Sequence, residues 1–92
     1  MTTHTLSIPA DPDRLVETLR HEAAAMLNGG GCELVLDFSS VLKIDVAAAR
    51  SMEELADRAD QSSTRIALRA VNVGLYRALK LLKLAQRFSY LS

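Results

Sequence analysis

The segment that decides the fold runs from residue 34 to residue 55 and reads LVLDFSSVLKIDVAAARSMEEL. It begins inside a compact apolar run, CELVLDF at 32–38, with glycines before it and serines after it. Such a run is typical of a central strand that is covered on both faces of its sheet. Asp45 then precedes a stretch in which apolar residues recur every three or four positions as far as Ala59. The segment therefore predicts a buried strand, a short link and an amphipathic helix.

The N-terminal third predicts one further strand and one helix. Residues 4–9 alternate apolar and polar side chains and end in proline, which is typical of a short strand at the edge of a sheet. Asp11 and Pro12 form a common helix start, an N-cap followed by proline at the first helical position. Apolar residues then recur at helical spacing until Asn28, where the glycines at 29–31 end the helix.

The C-terminal third predicts a strand at 64–70, a helix capped by Asn72 and a last short strand at 88–91. Strands that alternate with helices of this length form a mainly parallel sheet, because a parallel pair of strands needs a long crossover connection. The predicted fold class is therefore α/β, a small, mainly parallel four-stranded sheet with three helices in the order βαβαβαβ. We expect residues 1–92 to form a single domain, because this length supports one hydrophobic core.

The residues that most often carry chemistry are few and scattered. His4 and His21 stand apart from any Cys, His or carboxylate at metal-ligand spacing, so we expect both to be exposed structural residues. Cys32 precedes the buried strand and is expected to be a small core residue rather than a nucleophile. The glycines at 29–31 lack the Gly-Lys-Ser or Gly-Lys-Thr continuation of a phosphate loop. We therefore expect no catalytic residue, no metal site and no cofactor, and the chain is not predicted to be an enzyme.

The cysteine content and the N-terminal residues indicate the cellular location. The single cysteine cannot form an internal disulfide, and the opening MTTHTLSIPA lacks the basic start and apolar run of a signal peptide. No apolar run approaches the roughly 18 residues that a membrane-spanning helix needs. A cytoplasmic location is the expectation.

The formal net charge of zero hides a strong asymmetry. Residues 1–60 hold eleven acidic and five basic residues, a net charge of −6, whereas residues 61–92 hold six basic residues and no acidic one. Three of these bases recur at three-residue steps along the predicted third helix, namely Arg77, Lys80 and Lys83. They are either contacts to an anionic ligand or membrane surface, or a solvated face neutralised by the second helix through Glu53, Glu54 and Asp57.

The stretch at 34–55, together with TRIALRAVNVGLYRALKLLKL at 64–84, resembles the STAS domain, a family named for sulfate transporters and anti-sigma factor antagonists. The resemblance rests on a strand ending Asp-Phe-Ser, a Val-x-x-Ile-Asp link and a helix that opens directly after Asp45, and it covers residues 32–91 best. It implies a STAS-like α/β fold and a non-catalytic, bacterial module for protein binding in signal transduction.

In the STAS family the hydroxyl residue two positions after this aspartate accepts phosphate from a partner kinase. Here Asp45 is followed by Val46, Ala47 and Ala48, so Ala47 occupies the phosphoacceptor-equivalent position. Alanine has no oxygen to phosphorylate, and regulation by phosphate is not expected at this position. Whether Ser39, Ser40 or Ser51 takes over that role is left open.

The resemblance also implies a partner-binding surface on the link and the outer face of the second helix. Its candidate residues are Ser39, Ser40, Lys43, Asp45, Val46, Ala47, Arg50, Glu53 and Glu54. The implied partner is a protein, either a switch-kinase-like ATPase of the anti-sigma type or the ATPase of a phospholipid transporter. The alternative is an anionic ligand or membrane surface bound by the basic C-terminal third.

Two further expectations concern other partners. The strand at 5–8 would pair with a second copy and form a homodimer if its edge is free, or stay unpaired if Pro9 and its shortness protect it. Specific nucleic-acid binding is not expected, because the aromatic residues are few and lie on elements predicted to be buried. These residues are Phe38, Phe88, Tyr76 and Tyr90.

Overall fold

The structure is a computed structural model that describes residues 3–28 and 33–91. Cys32 and the glycines at 29–31, whose roles the sequence analysis considered, lie outside the described residues. The strands are β1 (Thr3–Ser7), β2 (Glu33–Asp37), β3 (Arg65–Arg69) and β4 (Ser89–Leu91). The helices are α1 (Pro12–Glu17), which continues through a π-helical segment (Thr18–Ala23) into α2 (Ala24–Leu27), then α3 (Val46–Gln61) and α4 (Val73–Leu81), with a 3-10 turn at Ala85–Arg87.

The four strands form one sheet in the order β1-β2-β3-β4, and every neighbouring pair is parallel. The α1–α2 unit, α3 and α4 each connect one strand to the next. The predicted α/β fold with three helical connections is therefore confirmed, and so is the prediction that the first strand lies at an edge of the sheet.

All three helical connections pack on the same face of the sheet. Leu34 and Leu36 of β2 and Ile66 and Leu68 of β3 belong to one buried cluster, which also contains every buried apolar side chain of the helices. Consecutive crossovers of one hand that advance in one direction across a parallel sheet place their helices on one side. The molecule thus has two layers, with its hydrophobic core between the helices and one face of the sheet.

The opposite face of the sheet differs from the prediction made from the apolar run at 32–38. That run was expected to be covered on both faces, but Val35 and Ala67, which point away from the core, do not belong to the buried cluster. Both are nevertheless buried, with 4% and 1% of their surface exposed. Among the described residues, no helix contributes a buried apolar side chain to this face.

Side-chain caps begin the helices where the sequence predicts them. The Asp11 carboxylate accepts hydrogen bonds from the Asp13 N–H at 2.9 Å and the Arg14 N–H at 3.2 Å. Asp45 and Asn72 cap α3 and α4 in the same way. Each cap satisfies N–H groups that have no partner within their own helix.

The π-helical segment follows from the apolar spacing of the first helix. The most deeply buried side chains of the α1–α2 unit recur at four-residue steps, at Leu15, Leu19, Ala23 and Leu27, and Ala24 is buried beside them. In a regular α-helix, a four-residue step rotates the side chain by about 40° beyond a full turn, so the series would drift off the core. The wider π-helical turn rotates less per residue and keeps these four side chains directed at the core.

Candidate functional site

The candidate surface lies at the carboxyl end of the parallel sheet. The Ile8 N–H donates to the Asp37 carbonyl at 2.9 Å, and the Phe38 N–H donates to the Arg69 carbonyl at 2.9 Å. These bonds tie together the chain segments that leave the first three strands. Loops at this end of open parallel sheets are the usual place for binding sites. The link between β2 and α3, residues 38–45, belongs to this group and is called the β2–α3 loop below.

Hydrogen bonds hold the start of the β2–α3 loop. The Asp37 carboxylate accepts the Ser39 N–H at 2.9 Å, and the Val41 N–H donates to the Phe38 carbonyl at 2.9 Å. Hydrogen bonds from Ser39 hold the pKa of Asp37 below its ordinary value, with a smaller contribution from Arg69, whose guanidinium lies 3.4 Å from the carboxylate. Val41 is buried, so the loop is anchored at its middle as well.

Asn72 connects the loop to α4. Its side-chain amide donates to the Val41 carbonyl at 3.3 Å and to the Leu42 carbonyl at 3.2 Å. Its side-chain oxygen accepts the Leu75 N–H at 2.7 Å and so caps α4. One side chain therefore fixes the position of the loop relative to the start of α4. The sequence pattern predicted only the capping role.

The start of α3 combines a firm cap with an exposed surface. The Asp45 Oδ1 atom accepts the Ala48 N–H at 2.8 Å, while the residue itself is exposed. Val46 is 75% exposed, and Ala47 is exposed beside it. A hydroxyl at position 47 would therefore be open to solvent. The backbone of this start is that of a capped helix.

All nine residues proposed for the partner surface are exposed. The β2–α3 loop and the first turns of α3 bring most of them to one end of the sheet. Glu54 also forms an ion pair with Arg20 at 3.9 Å, which directs it toward the π-helical segment. The alternative phosphate acceptors differ: Ser39 and Ser40 are exposed, whereas Ser51 is 2% exposed and its hydroxyl donates to the Ala47 carbonyl at 2.9 Å.

Sequence reasoning missed an apolar contribution to this end of the molecule. Leu42, Val46 and Val73 are 81%, 75% and 68% exposed and are called the apolar rim below. They lie on the β2–α3 loop and at the first residues of α3 and α4. The sequence did carry a signal for the exposure of Leu42: the apolar residues of this loop cannot all face the core. Val41 and Ile44 turn inward, and this leaves Leu42 at the surface. Exposed apolar side chains that form a contiguous patch are typical of a surface that binds another protein.

A shallow depression of about 220 Å³ adjoins the apolar rim between the starts of α1 and α3. Its lining residues are Ala10, Pro12, Leu15, Lys43, Ile44, Asp45 and Ala48. This volume is below the roughly 300–1,000 Å³ of sites that enclose small molecules. The depression is therefore better suited to receive a side chain from a protein partner.

The four basic residues that follow β3 divide into two groups. Arg77, Lys80 and Lys83 are exposed, and among the described residues none of them forms an ion pair. Of the two alternatives left open by the sequence, neutralisation of these three bases by α3 is therefore not observed among the described residues. Arg87 of the 3-10 turn pairs instead with Asp57 at 2.8 Å and Asp60 at 2.9 Å, and these bonds raise its pKa.

Apolar side chains lie among the unpaired bases. Leu81 is 85% exposed and Leu82 is 50% exposed at the end of α4. Tyr76 and Tyr90, which were expected to be buried, are 40% and 38% exposed and form an edge-to-face pair with ring centroids 5.4 Å apart. That expectation was wrong because β4 is short and the last edge of the sheet leaves both rings at the surface. Phe38 and Phe88 are buried as predicted.

The residues considered for chemistry are dispersed. His4 and His21 are both exposed. Within the described ranges, no group of three or more His, Cys, Asp or Glu side chains is arranged to hold a metal ion. Across these same ranges, no helix has the length and apolar character needed to span a membrane.

Comparisons with known proteins agree with this architecture. The family described as Mlab, STAS domain matches the chain over residues 5–91. Among solved structures, the chain is similar to a candidate anti-sigma factor antagonist from Thermotoga maritima, with a TM-score of 0.66 and 21% sequence identity. That similarity covers 99% of this chain and 74% of the Thermotoga chain, and it shows a shared fold. No curated protein matches the chain at a significant level.

Proposed function

Because the chain belongs to the STAS domain family, we propose that it is a non-catalytic protein-binding module of the anti-sigma factor antagonist kind. The β2–α3 loop and the first turns of α3 form its binding surface. The observation that carries this proposal is the start of α3, where Asp45 caps the helix while Val46 and Ala47 remain exposed. The apolar rim supplies the contact area there, and Lys43, Arg50 and Glu53 supply charges around it.

The partner is an ATPase, and phosphate at the start of α3 does not control its binding. Ala47 carries no oxygen, and the Ser51 hydroxyl is buried in a bond to the Ala47 carbonyl. A phosphate two residues after Asp45 would place additional negative charge against any acidic group of the partner. Without that switch, the surface stays competent to bind, and control lies in the amount of either protein or in another modification.

Affinity capture from cells that express the chain tests this proposal with matched variants. Ala47→Trp places a bulky side chain on the proposed surface, and Ala25→Trp places the same side chain on an exposed position of α2. We expect the wild type and Ala25→Trp to capture a protein with an ATP-binding domain, and Ala47→Trp to lose it. Equal capture by both variants, or capture of no ATPase by the wild type, would contradict the proposal.

A second candidate function rests on the unpaired bases of α4 and of the turn that follows it. Arg77, Lys80 and Lys83 stand beside exposed Leu81 and Leu82, and basic surfaces with exposed leucines bind anionic membranes. Sedimentation with vesicles tests this function. Phosphatidylglycerol vesicles would retain the wild type and release the Lys80→Glu/Lys83→Glu variant, whereas equal retention by pure phosphatidylcholine would contradict an electrostatic surface.

A further inference from the structure

One face of the sheet has no described element over it. Parallel sheets are almost always covered on both faces, because their crossover connections place helices against them. Here the helices cover only the face that carries Leu34 and Leu36. The side chains of the other face, called the open face below, come from alternate positions of the strands. They are Thr3, Thr5, Ser7, Glu33, Val35, Asp37, Arg65, Ala67, Arg69, Ser89 and Leu91.

The strand register arranges the open face in three rows. The first row places Glu33 of β2 beside Arg65 of β3, and the third row places Asp37 beside Arg69. The middle row places Val35 beside Ala67. Each outer row therefore carries its acid on β2 and its base on β3, at adjacent central strands, with an apolar row between them.

We propose that the open face binds the open face of a second copy of this chain. The two copies are related by a two-fold axis that runs parallel to the strands, between β2 and β3. Such an axis places β2 of one copy over β3 of the other without changing the position along the strand. Stacked sheets lie about 10 Å apart, a separation that long charged side chains bridge.

This arrangement makes each charged row complementary to itself. Glu33 faces Arg65 of the second copy, and Asp37 faces Arg69 of the second copy. In the middle row, Val35 faces Ala67 of the second copy, but both are already buried in the monomer and add little contact area. Four alternating charges at each end of the interface form a network, whereas the isolated sheet holds only the Asp37–Arg69 pair at 3.4 Å among its described residues.

The other two-fold axis in the plane between the sheets is disfavoured by the same charges. An axis perpendicular to the strands would place each strand over its own copy in reverse. Glu33 would then face Asp37, and Arg65 would face Arg69. Like charges in direct opposition destabilise an interface, so the charge pattern selects the axis parallel to the strands.

The size of the face predicts a weak dimer. Four strands of up to five residues cover about 19 Å by 17 Å, which is about 320 Å² per copy and about 650 Å² in total for a flat face, below the roughly 1,200 Å² of stable specific interfaces. Val35 and Ala67 are already shielded in the monomer, so the charged rows contribute most of the specificity. We therefore expect a dimer dissociation constant of about 10 µM and a strong dependence of that constant on salt concentration.

Sedimentation velocity with paired charge reversals tests the proposal. Glu33→Arg places a second base opposite Arg65 of the other copy, and Arg65→Glu places a second acid opposite Glu33 of the other copy. Each variant alone should therefore be monomeric at concentrations where the wild type dimerises. A one-to-one mixture restores an opposite charge at both contacts and should dimerise again. Arg14→Glu, a charge reversal at an exposed position of α1, is the matched control and should leave the wild-type equilibrium unchanged.

The outcomes separate this dimer from its competitors. A wild type that stays monomeric up to 200 µM, or folded single variants whose mixture stays monomeric, would overturn the proposal. Variants that remain dimeric on their own would overturn it as well and would indicate pairing through the β1 edge instead. If either variant fails to fold by circular dichroism, the salt dependence of the wild-type dimer provides the test. A dimer held by the charged rows must weaken at least fivefold between 0.05 and 0.5 M NaCl. A salt-independent dimer would overturn the proposal.

Discussion

Two helices begin at the same end of the sheet, and their caps are used differently. Asp45 accepts one bond, from the Ala48 N–H at 2.8 Å, and stays exposed. Asn72 accepts the Leu75 N–H at 2.7 Å and also donates to two carbonyls of the β2–α3 loop. The cap of α4 is therefore a structural connection, whereas the cap of α3 leaves its residue available to a partner. Two residues with the same local role thus differ in what they can do for function.

Removing the Asn72 side chain should have the largest effect, because it breaks both parts of the connection. We expect Asn72→Ala to lower the free energy of unfolding by about 2 kcal/mol, through the lost cap and the two unsatisfied loop carbonyls. Urea denaturation measures this change. Asn72→Ser keeps a capping oxygen and loses the donors to the loop, so it should fall between Asn72→Ala and the wild type. Equal stability of Asn72→Ala and the wild type would show that the connection contributes nothing.

Replacing Asp45 separates its capping role from its role in binding. Asp45→Ala should lower the free energy of unfolding by about 1 kcal/mol, the usual cost of losing an N-cap. Asp45→Asn keeps the cap, since asparagine caps as well as aspartate, and should leave stability nearly unchanged. We expect Asp45→Asn nevertheless to weaken ATPase binding, which isothermal titration calorimetry would detect. Unchanged affinity would show that Asp45 serves only as a helix cap.

Arg87, after α4, is ion-paired, whereas Lys80 within α4 forms no ion pair among the described residues. Arg87 joins the 3-10 turn to Asp57 and Asp60, but these carboxylates are 60% and 73% exposed. We therefore expect Arg87→Ala to cost about 0.5–1 kcal/mol in urea denaturation, since exposed ion pairs contribute little. Lys80→Ala, which removes an unpaired base, is the control and should cost less. A larger loss for Lys80→Ala would mean that α4 has an ionic contact that the structure does not show.

The smallest effect is expected from the pH dependence of Asp37. Its lowered pKa means that the folded state holds the carboxylate charged more strongly than the unfolded state does. This contribution is fully present above the unfolded value of about 3.9 and is lost as pH falls through the lower folded value. Wild type should therefore lose more stability between pH 5 and pH 2 than Asp37→Asn does. Parallel pH profiles in thermal denaturation would contradict this account.

The sequence was a reliable guide wherever structure depends on near neighbours. The order of strands and helices, the three caps and the edge position of the first strand follow from periodicity and from residues within a few positions of one another. The resemblance to the STAS family, based on the link before Asp45, is confirmed by the family match over residues 5–91.

Contacts between distant parts of the chain were beyond the same reasoning. Arg87 pairs with acids 27 and 30 positions earlier, and Asn72 binds a loop 30 and 31 positions earlier. Neither pairing leaves a periodic signal, because it depends on how separate elements pack. The prediction that helices cover both faces of β2 was wrong for a related reason. An apolar run predicts that Val35 is buried, but it does not predict which part of the molecule covers it.

Hydrogen–deuterium exchange with and without the captured ATPase tests the central claim most directly. The claim is that the β2–α3 loop and the start of α3 bind the partner. The account predicts that addition of the ATPase slows exchange in peptides that cover residues 39–54 and in the segment around Val73, with little change in α2. Slowed exchange confined to the strands or to the end of α4, with residues 39–54 unchanged, would contradict it.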